Sequence, residues 1–367
     1  IIPVVYLSTL KDEVRPKTRT RDNIKTRTFA ASQLHQVLAI RQYFNDAMSL
    51  FADLRDVLPI QLGIDPTSRE WDVLVNRVTA TSKAYGNGDY SDFDAVHCHE
   101  ARDLVVEILC KVYEELDPNW KPEHTDIRKG LEMISRNGLL QVDSLLIQFS
   151  KGLFSGEVWT TFMNSVLNDL YLTYAWIVKM ETIGRSDIAH LPAKRNRVTT
   201  IVFGDDNLEG YADPNLYNLG DVSYILERDL NIIIRNAQDK ELDQVTPYTK
   251  LEDVDFLKRK IVRIGHRWCG KLEPKSFDKM IHWVVGPRRF FTEENMDDRY
   301  LNLVQHEAIA MQALREATFC GKEFYNILHK SLQKTLHQLG STLCLTDYIT
   351  ACEQLALVPD DALEYWK

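Results

Sequence analysis

The chain has 367 residues, enough for two or three domains or one multi-lobed fold, and its hydrophobic fraction of 44% is ordinary for a globular protein. It contains no apolar run of about 18 residues, which excludes a membrane-spanning helix of the usual kind. The formal net charge of −9, with a pI near 5.6, excludes a uniformly basic nucleic-acid binder.

The first ten residues read as a strand. Ile1-Ile2-Pro3-Val4-Val5-Tyr6 lacks the basic start and long apolar core of a signal peptide, and it lacks an initiator Met, so a cleaved product or fragment is expected. Residues 11–27 follow as a loop carrying seven basic side chains (Lys11, Arg15, Lys17, Arg19, Arg21, Lys25, Arg27) against three acidic ones. A dense basic segment in an acidic protein can still bind a polyanion locally. Residues 28–55 have helical periodicity, closed by Pro59, Gly63 and Pro66. Thr79 to Gly88 leads through a Gly-Asn-Gly turn into Asp89, and a second helix is expected from Val96 to Leu116. The stretch 117–138 is polar, with a short helix near Ile127–Ile134. A long helix follows Ser155-Gly156 and runs to about Met180. The order continues with a hairpin at Gly204, a helix and then a strand over 217–236, a hairpin over Val254–Ile264 centred on Arg259, and mostly helix over 275–355. This order lacks regular βαβ alternation and predicts an α+β fold with a helical C-terminal lobe. The six cysteines form no C-x-x-C pair and read as reduced thiols of a cytosolic protein. His97-Cys98-His99 and His266-x-x-Cys269 lack the paired spacing of structural zinc, so packing or surface roles are expected for them.

Chemistry concentrates in three places. In Thr199-Thr200-Ile201-Val202-Phe203-Gly204-Asp205-Asp206, a β-branched run meets a glycine and two adjacent carboxylates, the pattern of a hairpin with acids at its tip. Such a tip can hold divalent cations against a phosphate. Gly-Asp-Asp alone is equally an ordinary turn. Asp89-Tyr90-Ser91-Asp92-Phe93-Asp94 supplies acids at i, i+3 and i+5. If Asp89 ends a strand, its carboxylate joins the Asp205 pair across a sheet, giving Mg²⁺ the hard oxygen ligands it prefers; the alternative is a polar turn. In Ser155-Gly156-Glu157-Val158-Trp159-Thr160-Thr161-Phe162-Met163-Asn164, a flexible loop opens a helix. Thr160 and Asn164 are four apart and share a face, which invites a specific hydrogen-bonding role; the alternative is a capped helix with incidental polar residues.

In order and spacing these segments resemble the RNA-dependent RNA polymerases of the picorna-like positive-strand RNA viruses, with dicistrovirus, iflavirus and marnavirus relatives as expected neighbours. Lys11-Asp12-Glu13-Val14-Arg15-Pro16-Lys17 through Arg27 looks like motif F, and Asp89 to Asp94 like motif A. Ser155-Gly156 with Thr160 and Asn164 looks like motif B, and Phe203-Gly204-Asp205-Asp206 like motif C. Lys240 stands where motif D carries its lysine. Phe256-Leu257-Lys258-Arg259 looks like motif E, while Leu272-Glu273-Pro274 and Trp283 resemble the start of the thumb. The resemblance covers most of the chain. It departs in having Phe203 where the family has Tyr, and one extra residue before Arg27. The Trp159-Thr160-Thr161-Phe162 block also resembles totivirus-like double-stranded RNA virus polymerases.

The resemblance implies a right hand: partial fingers at 1–88, palm at 89–262 with a fingers insertion near 117–150, and thumb at 263–367. It implies Mg²⁺, with Mn²⁺ able to substitute, on Asp89, Asp205 and Asp206, and Lys240 as general acid for pyrophosphate. Lys11, Arg15 and Arg27 would meet the triphosphate, and Asp94 and Asn164 the ribose 2′-hydroxyl. Ser155, Gly156 and Thr160 would line the nucleotide site, and Phe256, Leu257, Lys258 and Arg259 the primer. The implied partners are template and primer RNA, NTPs, a protein primer and other viral replication proteins. The implied setting is the host cytoplasm, at membrane-associated replication complexes reached through those proteins. An upstream fingers segment is expected outside this sequence, so these residues alone are expected to be weakly active. A non-catalytic relic would not need Asp89, Asp205, Arg27 and Asn164 all intact. A reverse transcriptase would block the 2′-hydroxyl with an aromatic residue where this chain has Asp94.

Overall fold

The computed structural model describes residues 4–11, 27–237, 245–282 and 298–357. The chain divides into two compact units, one of Ile1–Gly63 with Arg77–Val254, the other of Ile64–Asn76 with Asp255–Lys367.

The first unit begins with β1 (Val5–Leu10) and β2 (Thr28–Ala31), an antiparallel pair. Residues 28–31 are therefore strand, and the expected helix starts only at Leu34, running to Asp53. The Gly-Asn-Gly turn joins β3 (Ala84–Gly86) to β4 (Gly88–Tyr90), placing Asp89 in the middle of a three-residue strand. Helices His99–Leu116 and Pro122–Arg136 follow, the second longer than its polar sequence suggests. Pro122 at its start and the buried charges Arg128 and Glu132 on its inner face explain why hydrophobic periodicity undercounts it. A hairpin missing from the sequence reading, β5 (Leu139–Val142) and β6 (Leu145–Gln148), adds to β1 and completes a sheet ordered β2-β1-β5-β6.

The long helix Thr160–Thr182 is almost wholly buried on one side, with Phe162, Met163, Leu167, Leu172 and Trp176 in the core beside Phe44, Val105 and Tyr211. Helices of this kind derive most of their stability from such packing rather than from propensity. β7 (Val198–Phe203) and β8 (Asp206–Tyr211) form the expected hairpin, and β3 joins it in the order β3-β8-β7. Helix Leu219–Leu230 opens with a full capping box from Asn218 and Asp221 and ends at Asn231 in the left-handed conformation, φ +54°. The chain then returns as β9 (Ile234–Asn236), which pairs with β4.

The second unit holds β10 (Asp255–Phe256), β11 (Arg259–Ile264) and β12 (Arg267–Leu272) in one antiparallel sheet. The expected hairpin is there, but it turns at Leu257-Lys258, both at positive φ (+53° and +59°), rather than at Arg259. β12 has no clean polar–apolar alternation in sequence, because Gly270 interrupts it and the charged Arg267 faces inward. Helices Pro274–His282, Asp298–Ala317, Lys322–Gln338 and Tyr348–Gln354 enclose a core of Phe277, Leu314, Phe319, Tyr325 and Leu336. No helix among the described residues is long and apolar enough to cross a membrane.

Candidate active site

The acid hairpin is built by its glycine. The last paired residues are Phe203 and Asp206, which leaves Gly204 and Asp205 as a two-residue turn with Gly204 at φ +62°. A positive φ at the first central position of a tight hairpin favours glycine. Asp205 is thereby exposed and Asp206 half-buried.

The strand bearing Asp89 is held beside the acid hairpin by a side-chain splice. β3 is laddered to β8, but at Asn87 the chain leaves that ladder for β9. The buried Asn207 fills the gap. Its Oδ1 accepts from the Gly88 N–H at 3.0 Å, its Nδ2 donates to the Gly88 carbonyl at 3.2 Å, and its own carbonyl accepts from Asn87 Nδ2 at 2.7 Å. Asp89 is thus one residue from a strand position fixed against Asn207, which itself lies two residues past Asp205.

The helix Thr160–Thr182 fixes the rest. Asn164 Nδ2 donates to Asp94 Oδ1 at 2.6 Å. Ser165 Oγ accepts from the Gly204 N–H at 2.7 Å. Asn168 Nδ2 faces the carbonyls of Gly204, Asp205 and Asp206 at 3.0, 3.2 and 3.4 Å, while its Oδ1 accepts from the Tyr90 hydroxyl at 3.0 Å. Residues 164, 165 and 168 sit within a turn of one another on the helix. Burial raises the proton affinity of Asp94, and the charge of Asp205 adds to that; the Asn164 bond and the Lys11 charge oppose it. Asn164 stands out in the sequence; Ser165, Asn168 and Asn207 do not. Ser165 and Asn168 are polar residues inside an apolar helix and Asn207 one more polar residue after the acid turn, and none of these patterns identifies a partner.

The loop before this helix is tied down at both ends. Gly152 N–H donates to the His97 carbonyl and Leu153 N–H to the Asp94 carbonyl, each at 2.7 Å. Gly156 bridges to Ala31, and its carbonyl accepts from Ser32 Oγ at 3.2 Å. A Cβ on Gly156 would lie 1.9 Å from the Ala30 carbonyl oxygen, so no larger residue fits. Below the loop, the buried Arg102 binds Glu132 at 2.6 Å, Glu157 at 3.5 Å and the Gly152 carbonyl at 2.7 Å. Thr160 does not share the task of Asn164. Its hydroxyl turns back to the carbonyls of Phe154 and Glu157, so it braces the loop. A cavity of about 410 Å³ opens beside these groups, with Asp94, Lys151, Phe154, Ser155 and Arg136 on its walls. A larger one of about 980 Å³, between helices His99–Leu116 and Pro122–Arg136, contains none of the candidate residues.

At the ends of the basic segment, Lys11 N–H donates to the Arg27 carbonyl at 2.9 Å, which brings these two candidates together. Arg15 and Lys240 lie outside the described residues. In the second unit, Phe256 is buried against Trp71, and Arg259 is turned inward. Its guanidinium makes a two-pronged pair with Glu316 at 2.6 and 2.8 Å and reaches the Gly270 carbonyl at 2.9 Å. Only Leu257 and Lys258 of that tetrad sit at the turn, Lys258 exposed. Among the described residues, no three His, Cys, Asp or Glu side chains converge closely enough to form a metal centre by themselves. Asp89, Asp205 and Asp206 still suit Mg²⁺, which commonly takes one or two carboxylates and completes its shell with substrate phosphate and water.

Residues 2–334 match the family model described as viral RNA-dependent RNA polymerase. The chain is 29% identical over 335 residues to the RNA1 polyprotein of Satsuma dwarf virus, covering 91% of this chain and 15% of that protein. It is 26% identical over 343 residues to the RNA1 polyprotein of Cherry rasp leaf virus, covering 90% of this chain and 14% of that one. The chain therefore spans about a seventh of the length of each of these two relatives. In structure it is similar to the solved Sicinivirus 3Dpol RNA dependent RNA polymerase, with a TM-score of 0.71 at 17% identity, over 96% of this chain and 67% of that one.

Proposed function

Because the chain belongs to the viral RNA-dependent RNA polymerase family and has its α+β right-hand fold, we propose that it catalyses template-directed RNA synthesis. It would transfer nucleotides from NTPs to an RNA 3′-hydroxyl during replication of a viral genome. The observation that carries this reading is that one helix, Thr160–Thr182, binds both Asp94 and the Gly204–Asp206 turn. A polar turn with incidental acids has no need of such a brace.

Asp89 and Asp205, with Asp206 beside them, are the side chains that would hold Mg²⁺, or Mn²⁺ in its place. Bound there, the ions would activate the attacking hydroxyl and stabilise the charge of the displaced phosphate. Asp94 and Asn164 would hydrogen-bond the ribose 2′-hydroxyl, the group that marks an RNA substrate. Lys11 and Arg27, with Arg15 between them, would neutralise the triphosphate; Arg suits this through its planar fork of donors. Lys240 would return a proton to pyrophosphate as general acid. Ser155 and Gly156 would shape the nucleotide side of the cavity, with Thr160 bracing the loop. Leu257 and Lys258 would meet the primer strand, with Phe256 and Arg259 supporting their turn from within.

We further assign fingers, palm and thumb to 1–88, 89–262 and 263–367. A place on the dicistrovirus, iflavirus and marnavirus side of the picorna-like order is part of the proposal, and a tree of palm sequences including the satsuma and cherry viruses tests it. A protein primer, other viral replication proteins and a membrane-associated site in the host cytoplasm complete the proposal. The deciding experiment is primer extension on an RNA template with NTPs or dNTPs in Mg²⁺. Ribonucleotide-dependent extension that Asp205→Asn reduces to background, with RNA binding retained, supports it. Extension by Asp205→Asn at the wild-type rate overturns the assignment of the acids.

A further inference from the structure

Asn164 has a problem of direction. A carboxamide is nearly symmetric in shape, with an NH₂ donor at one end and a carbonyl acceptor at the other. To hold Asp94, an acceptor when ionised, Asn164 must present its NH₂ and turn its carbonyl inward. Inward, Oδ1 meets His97 Nε2 at 3.0 Å, and His97 Nδ1 meets the Tyr171 hydroxyl at 3.1 Å. His97 has no exposed surface, and Tyr171 is buried. The imidazole is clamped edge-on to Phe93, 4.6 Å between centroids, and parallel to Tyr171 at 5.9 Å.

We propose that His97 and Tyr171 are positioning residues for sugar selection: the Tyr171 hydroxyl donates to His97 Nδ1, fixing the proton on Nε2, which donates to Asn164 Oδ1 and so points the Asn164 NH₂ at Asp94. A neutral imidazole has one donor and one acceptor, and which nitrogen carries the proton is set by the partner of the other. A phenol kept protonated can supply that instruction. Burial raises the Tyr171 pKa, which keeps its proton in place, and burial pushes that of His97 down to about 4, so the ring is neutral at working pH. Each hydrogen bond then has one donor and one acceptor, from Tyr171 to Asp94. The role rests on the proposed reading of Asp94 and Asn164 as the sugar-recognition pair. The His97-Cys98-His99 run, for which packing or surface roles were expected, is split between the two, with His97 buried and Cys98 exposed.

The test has two independent readouts on the full chain. The imidazole ¹⁵N spectrum of His97 is expected to show a protonated Nε2 and a bare Nδ1 from pH 6 to 8; a protonated Nδ1 or an imidazolium overturns the relay. That measurement needs no activity, so it decides the relay even if the chain incorporates no nucleotide and the functional reading fails. In primer extension, His97→Leu is expected to lower the ratio of kcat/KM for NTP over dNTP about tenfold, the effect of losing one buried orienting bond. His97→Gln, which keeps an N–H near the Nε2 position, is expected to restore most of the ratio. An unchanged ratio in a folded His97→Leu overturns the proposal. Should His97→Leu not fold, Tyr171→Phe serves: it is expected to give mixed imidazole tautomers and a smaller fall in the ratio, and a wild-type spectrum and ratio overturn the proposal.

Discussion

The Asn207 side chain bonds both polar groups of the Gly88 backbone, accepting its N–H at 3.0 Å and donating to its carbonyl at 3.2 Å. A carboxamide here does the work of one residue of β-ladder at the point where β3 gives way to β4. It holds the strand bearing Asp89 to the strand that follows Asp205. Asn207→Ala leaves both Gly88 groups buried without this partner, at about 1–3 kcal/mol for each orphaned group. A lowered Tm and a loss of extension larger than the Tm change explains are expected. Wild-type extension by Asn207→Ala would show that the splice does not set the acids.

The sugar pair predicts an asymmetric loss. A site built around a substrate hydroxyl rejects the analogue lacking it, because its own polar groups are then unpaired. Asp94→Ala should lower kcat/KM for NTPs more than for dNTPs, measured side by side on one primed template. Equal loss for both removes Asp94 from sugar reading.

Gly156 gives a steric prediction. Its Cβ would lie 1.9 Å from the Ala30 carbonyl oxygen and 2.6 Å from the Ala30 carbonyl carbon, both backbone atoms that no rotamer change can clear. Gly156→Ala should force the loop off β2 at about 1–3 kcal/mol, the usual cost of overpacking. Thermal denaturation should register this, and extension should fall with it. Gly130→Ala, mid-helix and with nothing within 4 Å of the added atom, is the steric control: it should leave extension unchanged and raise Tm slightly, by the roughly 0.5–1 kcal/mol that alanine gains over glycine inside a helix.

The buried Arg102 faces two carboxylates, so one negative charge in that dry site is in excess. Burial, with Glu157 nearby, raises the Glu132 pKa from 4.5 to about 7 against the pull of Arg102. The folded state therefore binds this proton more tightly than the unfolded chain. The stability it contributes is full below about pH 4.5 and is lost as pH rises through about 7. Glu132→Gln should flatten that decline. Chemical denaturation at pH 5 and pH 8 should give a smaller difference for the variant, and an identical difference would exclude Glu132 as the titrating group.

The hairpin at Gly204 was legible because its information is local: a β-branched run, a glycine able to take φ +62°, and polar residues at the tip. Asp94 and Asn164 were legible only through the spacing of motifs across the chain. Ser165, Asn168 and Asn207 were not, because a buried polar residue acquires its meaning from a partner 36 to 119 residues away. The β5–β6 hairpin escaped for the opposite reason. β6 is exposed along its length, so its Leu145, Leu146 and Ile147 give no alternation between core and solvent. The orientation of Thr160 was not legible, because i, i+4 spacing predicts a shared face but not which way a hydroxyl turns when nearby carbonyls compete for it.

The helix Thr160–Thr182 acts as a gauge block. Asn164, Ser165 and Asn168 are cut into one rigid body, so the separation between the Asp94 contact and the Gly204 contact is set by helical rise, about 1.5 Å per residue. A small roll or slide of that body cannot move one contact and spare the other. Changes in the core face of the helix, at Met163 or Leu167, should therefore shift sugar discrimination and turnover as a correlated pair. An evolving lineage would then tune accuracy and speed along a single mechanical coordinate rather than separately.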